Sequence, residues 1–189
     1  MSLFTQPYHD AVAQLTGPGA PFEVINCSIE GLSLKAFSQA HSSLSDYLNG
    51  GRQHGDKLLL QYQESTWSFK EFYTAADRLS HWLVTEGNIT AGTPVAIAMR
   101  NRPEWLIAFV AIINVGGIAV PLNSWGKSAE LEQGLEDSHA ALLICDAPRW
   151  KYVQESNRIV SALIVDGDAS GPQQPDFHDV IRANWTGSI

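Results

Sequence analysis

Apolar positions follow two rhythms along this chain, and the switch between them marks its elements. Residues 94–99 (PVAIAM), 118–122 and 141–145 (ALLIC) are unbroken apolar runs, the pattern of strands covered on both faces. A fourth, shorter run spans 162–165. Helical spacing separates them. Phe69, Phe72, Tyr73, Ala76, Leu79 and Leu83 fall at i, i+3, i+4 and i+7 intervals, which predicts a helix with one buried face. Ser68 and Glu71 form the S-x-x-E pair that satisfies a helix's first amides, and Gly87 is placed to end it. Pro103 suits a helix's first turn before 105–115, Ser128 is expected to cap the next helix, with Glu130 and Glu132 behind it, and a further helix is expected around 150–155.

The start of the chain reads differently. Residues 7–15 predict a short helix stopped by Gly17-Pro18-Gly19, and 22–29 with 32–37 predict a hairpin about Glu30-Gly31. Leu44, Tyr47 and Leu48 open another helix, followed by a strand over 57–63 and a short return at 65–67. The expected fold is therefore α/β, a mainly parallel sheet flanked by helices, with an N-terminal helix and β-hairpin extension. Three segments are expected: the extension (1–37), the α/β body (38–166), and a linker without a final element (167–189).

Composition narrows the functional classes. With 44% hydrophobic and 17% charged residues the 189-residue chain can build a core, which excludes a disordered tail or a disulfide mini-protein. Twelve Lys and Arg against twenty Asp and Glu leave a net charge of -8, and no basic stripe interrupts it, so nucleic acid is not an expected partner. Cys27 and Cys145 stand alone, as thiols of a reducing, cytoplasmic compartment do. No signal peptide is legible, so the sequons at Asn26, Asn88 and Asn184 are read as chance matches. Residues 105–122 contain no charge, but Gly116, Gly117 and Pro121 break the run, so a buried helix and strand are expected there and no transmembrane segment.

Ligand sites of such sheets lie beyond the carboxyl ends of the strands. Gly126-Lys127-Ser128 stands in that position, but a phosphate-cradling loop also needs a glycine at 121, which is proline. A polar loop with Ser128 as cap is the plainer reading. Neither G-x-G-x-x-G nor G-x-S-x-G occurs. The S-x-x-K pair Ser124 and Lys127 lacks its companion motifs, the six histidines are scattered, and Glu136-Asp137 reads as a solvated helix face. Arg149 and Lys151, just past the ALLIC run, could meet a phosphate; a solvent-facing loop is the plainer account of them.

Several of these segments together carry a family resemblance. Residues 67–72 (WSFKEF) resemble the first core motif of the AMP-forming acyl-CoA synthetases, and 113–123 (INVGGIAVPLN) resemble the second. Residues 94–105 and 130–144 resemble the units between and after them, so the match runs from about 43 to 146. The resemblance implies the N-terminal part of an enzyme that uses ATP and Mg²⁺ to turn a carboxylic acid into an acyl-adenylate, then transfers the acyl group to coenzyme A. The opening segment 16–37 resembles that of bacterial fatty-acyl ligases, which implies a fatty acid. In some members a basic residue of the third loop meets coenzyme A phosphates, which singles out Arg149 and, behind it, Lys151 as cofactor contacts.

The family's phosphate loop and catalytic lysine have no counterpart in these 189 residues. The chain by itself is expected to form no adenylate, to hold no cofactor or metal, and to carry no catalytic residue. Self-association through the surface that a complete ligase would cover is a further expectation. The alternative from another class is a non-catalytic binding or assembly module with the same half-domain fold.

Overall fold

Alternation along four central strands explains how the sheet is covered on both sides. The computed structural model describes residues 5–156, 160–167 and 174–183, so the sequon at Asn184 and the end at 185–189 lie outside the described residues. The chain divides into two compact units, one up to Asp46 and one from Tyr47 on.

The first unit holds α1 (Thr5–Thr16) and the antiparallel hairpin of β1 (Val24–Ile29) and β2 (Leu32–Phe37), paired in uninterrupted register. Glu30 and Gly31 both have positive φ, 51° and 82°, which a two-residue hairpin turn requires at its centre if the strands are to keep their twist. Here α2 (Leu44–Asn49) carries the chain onward.

In the second unit β3 (Leu58–Tyr62) and β4 (Ser65–Ser68) form a second hairpin, and the chain then turns into α3 (Phe69–Thr85). Ser68 closes the capping box: its Oγ accepts the Glu71 amide at 3.2 Å while its own amide donates to the Glu71 carboxylate at 2.8 Å. That bond from the Ser68 backbone, with one from its hydroxyl, holds the Glu71 carboxyl below its usual range. Next follow β5 (Pro94–Ala98), α4 (Pro103–Asn114), β6 (Ile118–Pro121), α5 (Ser128–Ser138), β7 (Leu142–Asp146), α6 (Ala147–Gln154) and β8 (Ser161–Val165). The four strands pair in parallel in the order β6-β5-β7-β8. Val95, Ile97, Leu142, Ile144, Leu163 and Val165 point into a core with α3 and α4, while Ala96, Ala98, Leu143, Cys145, Ala162 and Ile164 point into a second core with α5 and α6. These are the four apolar runs of the sequence, so the expected α/β sheet flanked by helices is what forms.

Two glycines set the close return between α4 and β6. Gly116 has φ +73°, and a Cβ on Gly117 would stand 3.0 Å from the Ile112 side chain and 3.3 Å from the Thr93 carbonyl. None of the helices among the described residues is long and apolar enough to cross a membrane. The segment after 166 departs from the linker expected there, because it contains α7 (Phe177–Arg182). Asp176 caps this helix through the His178 amide at 2.7 Å, and Phe177, Val180 and Ile181 are buried in the first core. Six residues are too few to hold a helix by their own propensity. Tertiary burial holds this one, which is why its spacing stayed illegible.

Leu79 is fully buried in α3, so Leu79→Ala should cost about 2–5 kcal/mol in urea denaturation. Ser68→Ala, which removes only the cap, should cost about 1 kcal/mol.

Candidate functional site

Neighbouring strands β5 and β7 lead away in opposite directions, β5 through α4 to β6 and β7 through α6 to β8. Such a reversal opens a crevice at the carboxyl ends of the two strands. Asp146, the last residue of β7 and the N-cap of α6, lies there and is 3% exposed. Its carboxylate accepts the Arg100 amide from the end of β5 at 3.2 Å and the Arg149 amide at 3.2 Å. Arg149 Nη1 donates to both Asp146 oxygens, at 3.1 and 3.3 Å, and its Nε and Nη2 donate to the Ser124 carbonyl beyond β6, at 2.8 and 2.6 Å. One ion pair therefore ties the ends of β6, β5 and β7.

Arg149 is thus 7% exposed on the first turn of α6, not in the solvent-facing loop of the plainer reading. Lys151, two residues on, is exposed. Burial pushes the adjoining Cys145 thiol far above its ordinary range, the Asp146 charge adds to this, and Arg149 opposes it. A thiol so held is inert.

The turn between β6 and α5 presents Trp125, a residue 76% exposed, with the Arg100 guanidinium over its ring at 3.1 Å from the centroid, a cation–π contact. Asn123 braces this turn: its Oδ1 accepts the Trp125 amide at 3.1 Å and its Nδ2 donates to Glu130 at 2.7 Å. A Cβ on Gly126 would stand 3.0 Å from the Asn123 carbonyl and 3.1 Å from the Glu130 carboxylate. The glycine of G-K-S is there for space, in a polar loop as expected. The expected cap is corrected: Lys127 occupies the N-cap without a side-chain bond, and the Ser128 hydroxyl donates to Glu155 at 2.8 Å.

A second ionic cluster closes the other end of the same edge. Arg102 donates to Glu104 in the first turn of α4 and to Asp166 after β8, both at 2.7 Å. His178 of α7 reaches Asp166 at 3.0 Å and lies 3.8 Å from Glu104. Burial works against the Arg102 charge, but the two carboxylates outweigh it and hold the guanidinium charged. Burial likewise would raise the Asp166 carboxyl, yet Arg102 and then His178 keep it below the usual carboxylate range. Beside this cluster a groove of about 910 Å³ runs past Lys70, Arg78, Glu104, His178 and Arg182. The described residues contain no group of three or more His, Cys, Asp or Glu able to hold a metal ion.

Arg149 and Lys151 were legible as candidates from their place after an apolar run. Arg100 and Arg102 were equally legible by that rule, in the polar stretch after PVAIAM. Trp125, Asp166 and His178 carried no local signal, because only the folded chain brings them to this edge.

Asp166→Asn tests the second cluster. A carboxylate whose pKa is depressed on folding contributes stability above the ordinary carboxylate range and loses it as pH falls through its folded value. The gap in urea midpoint between Asp166→Asn and the unmodified chain should be present at pH 6 and close below about pH 4.

Comparison with known proteins adds a family. Residues 49–185 match the AMP-binding enzyme family. The chain is 28% identical over 117 residues to a linear gramicidin synthase of Brevibacillus parabrevis, covering 62% of this chain and 2% of that protein. It is 26% identical over 143 residues to the very long-chain fatty acid transport protein of Saccharomyces cerevisiae, covering 70% and 21%. In structure it resembles coronafacic acid ligase from Pectobacterium brasiliense, with a TM-score of 0.67 and 17% identity over 76% of this chain and 30% of that one. The chain thus spans about a third or less of the proteins it matches.

Proposed function

Because the chain belongs to the AMP-binding enzyme family, we propose that it is the N-terminal subdomain of an adenylate-forming ligase, that the parent protein is an acyl-CoA synthetase, and that this subdomain serves its thioester step. Such a ligase activates a carboxylic acid with ATP to acyl-adenylate and pyrophosphate, after which the thiol of coenzyme A displaces AMP. A fatty acid is the proposed substrate, on the resemblance of residues 16–37 to fatty-acyl ligases and on the similarity to the yeast fatty acid transport protein.

The observation that carries the coenzyme A assignment is the chemistry of the carboxyl edge. Coenzyme A ends in a purine and three phosphate groups. The edge offers an exposed tryptophan with a guanidinium over one face of its ring, which leaves the other face for a ligand, and Lys127 and Lys151 stand exposed on the elements flanking the crevice. A flat purine suits the indole face, and the ammonium groups suit phosphate. Binding the nucleotide end by these groups would orient the thiol at low entropic cost in the later step. ATP handling belongs to the family's phosphate loop, for which residues 1–189 carry no matching motif.

The similarity to gramicidin synthase supports a second reading, an adenylation domain that serves a peptide synthetase. The two readings separate on coenzyme A. In the parent ligase Trp125→Ala should raise the KM for coenzyme A by about tenfold, the worth of about 1.4 kcal/mol, and leave the KM for ATP unchanged. No coenzyme A turnover at all favours the peptide synthetase, whereas turnover with an unchanged KM for coenzyme A in Trp125→Ala removes Trp125 from the coenzyme A site. The 189-residue chain alone should show no ATP–pyrophosphate exchange, and measurable exchange would overturn that expectation.

A further inference from the structure

A guanidinium presents five N–H donors in a rigid fork, and in Arg149 all three nitrogens are engaged inside the protein. Nη1 meets the Asp146 carboxylate, and Nε with Nη2 meet the Ser124 carbonyl. The side chain is 8% exposed and its ion-pair partner 5%. What it holds is the turn that carries Trp125, a residue 76% exposed to solvent. A residue so exposed gains little of its own from burial, so its placement depends on the turn beneath it. That turn has two further ties, from Asn123 to the Trp125 amide and to Glu130. The same Asp146 carboxylate accepts the amide of Arg100, whose guanidinium lies over the indole.

We infer that Arg149 is a positioning residue of the carboxyl edge and not a phosphate ligand: through the Ser124 carbonyl it fixes the turn and keeps Trp125 outward beside Arg100. Only the ligand that meets Trp125 depends on the coenzyme A reading; the brace is a property of the fold. Lysine at 149 would keep a charge on Asp146, but one ammonium cannot fork across both Asp146 and Ser124.

The chain labelled with 5-fluorotryptophan tests this by ¹⁹F NMR, with the Trp125 line assigned by its loss in Trp125→Phe. In the unmodified chain the Trp125 line should be as broad as that of the half-buried Trp67, as for an ordered ring. Arg149→Lys should shift and sharpen the Trp125 line while Trp67, Trp82 and Trp105, which pack in or against the other core, stay in place. Lys151→Met should move none of these lines. A motionally narrowed Trp125 line in the unmodified chain overturns the inference, as does an unmoved Trp125 line in Arg149→Lys. Should Arg149→Lys unfold, the line width of the unmodified chain decides. In the parent ligase, labelled and assigned in the same way, added coenzyme A should shift the Trp125 line; absence of that shift overturns the coenzyme A reading and leaves the brace standing.

Discussion

A carboxylate buried at the crevice of a parallel sheet has to be neutralised and hydrogen-bonded, and much of the carboxyl edge follows from how Asp146 meets that demand. Removing it from water costs several kcal/mol unless a partner of opposite charge and enough donors replace the lost solvent. Arg149 supplies the charge and two backbone amides supply the remaining bonds. Those donors come from β5 and α6, and the other arm of the guanidinium reaches the turn after β6. Satisfying one acid thus sets the relative heights of three strand ends.

The edge therefore divides into groups that are spent on the protein and groups that face outward. Asp146, Arg149, Arg102 and Glu104 form closed pairs with little exposure. Buried pairs of this kind add little net stability compared with apolar packing, and their best-attested use is to specify one arrangement. Here that arrangement keeps Trp125 and Arg100 in place on one side and docks α7 through His178 on the other. The outward groups stay available because the inward ones carry the structural task.

Legibility in the sequence followed the range of the interaction. The Ser68–Glu71 box, the Glu30-Gly31 turn and the unbroken strand runs depend on neighbours within a few residues, and each formed where its spacing predicted. Ser128 shows the limit of that reasoning: its residue type suits a cap, but Glu155, 27 positions away, takes its hydroxyl. The helix Phe177–Arg182 shows the same limit, since its burial against the first core and not its own spacing makes it helical.

By itself the sequence determined the α/β class, the strands and helices of the doubly covered sheet, and, through motifs spread over 67–144, the family. Those features rest on local periodicity and on short motifs, which a linear chain displays directly. Only the tertiary structure decided which charged groups face inward. Arg149 and Lys151 look equivalent in sequence, two cations after the same apolar run, yet one is buried against Asp146 and Ser124 and the other is exposed. The physical reason is that the cost of a buried charge is settled by partners, and those partners, 25 residues apart in the case of Ser124 and Arg149, meet only when the strands pair.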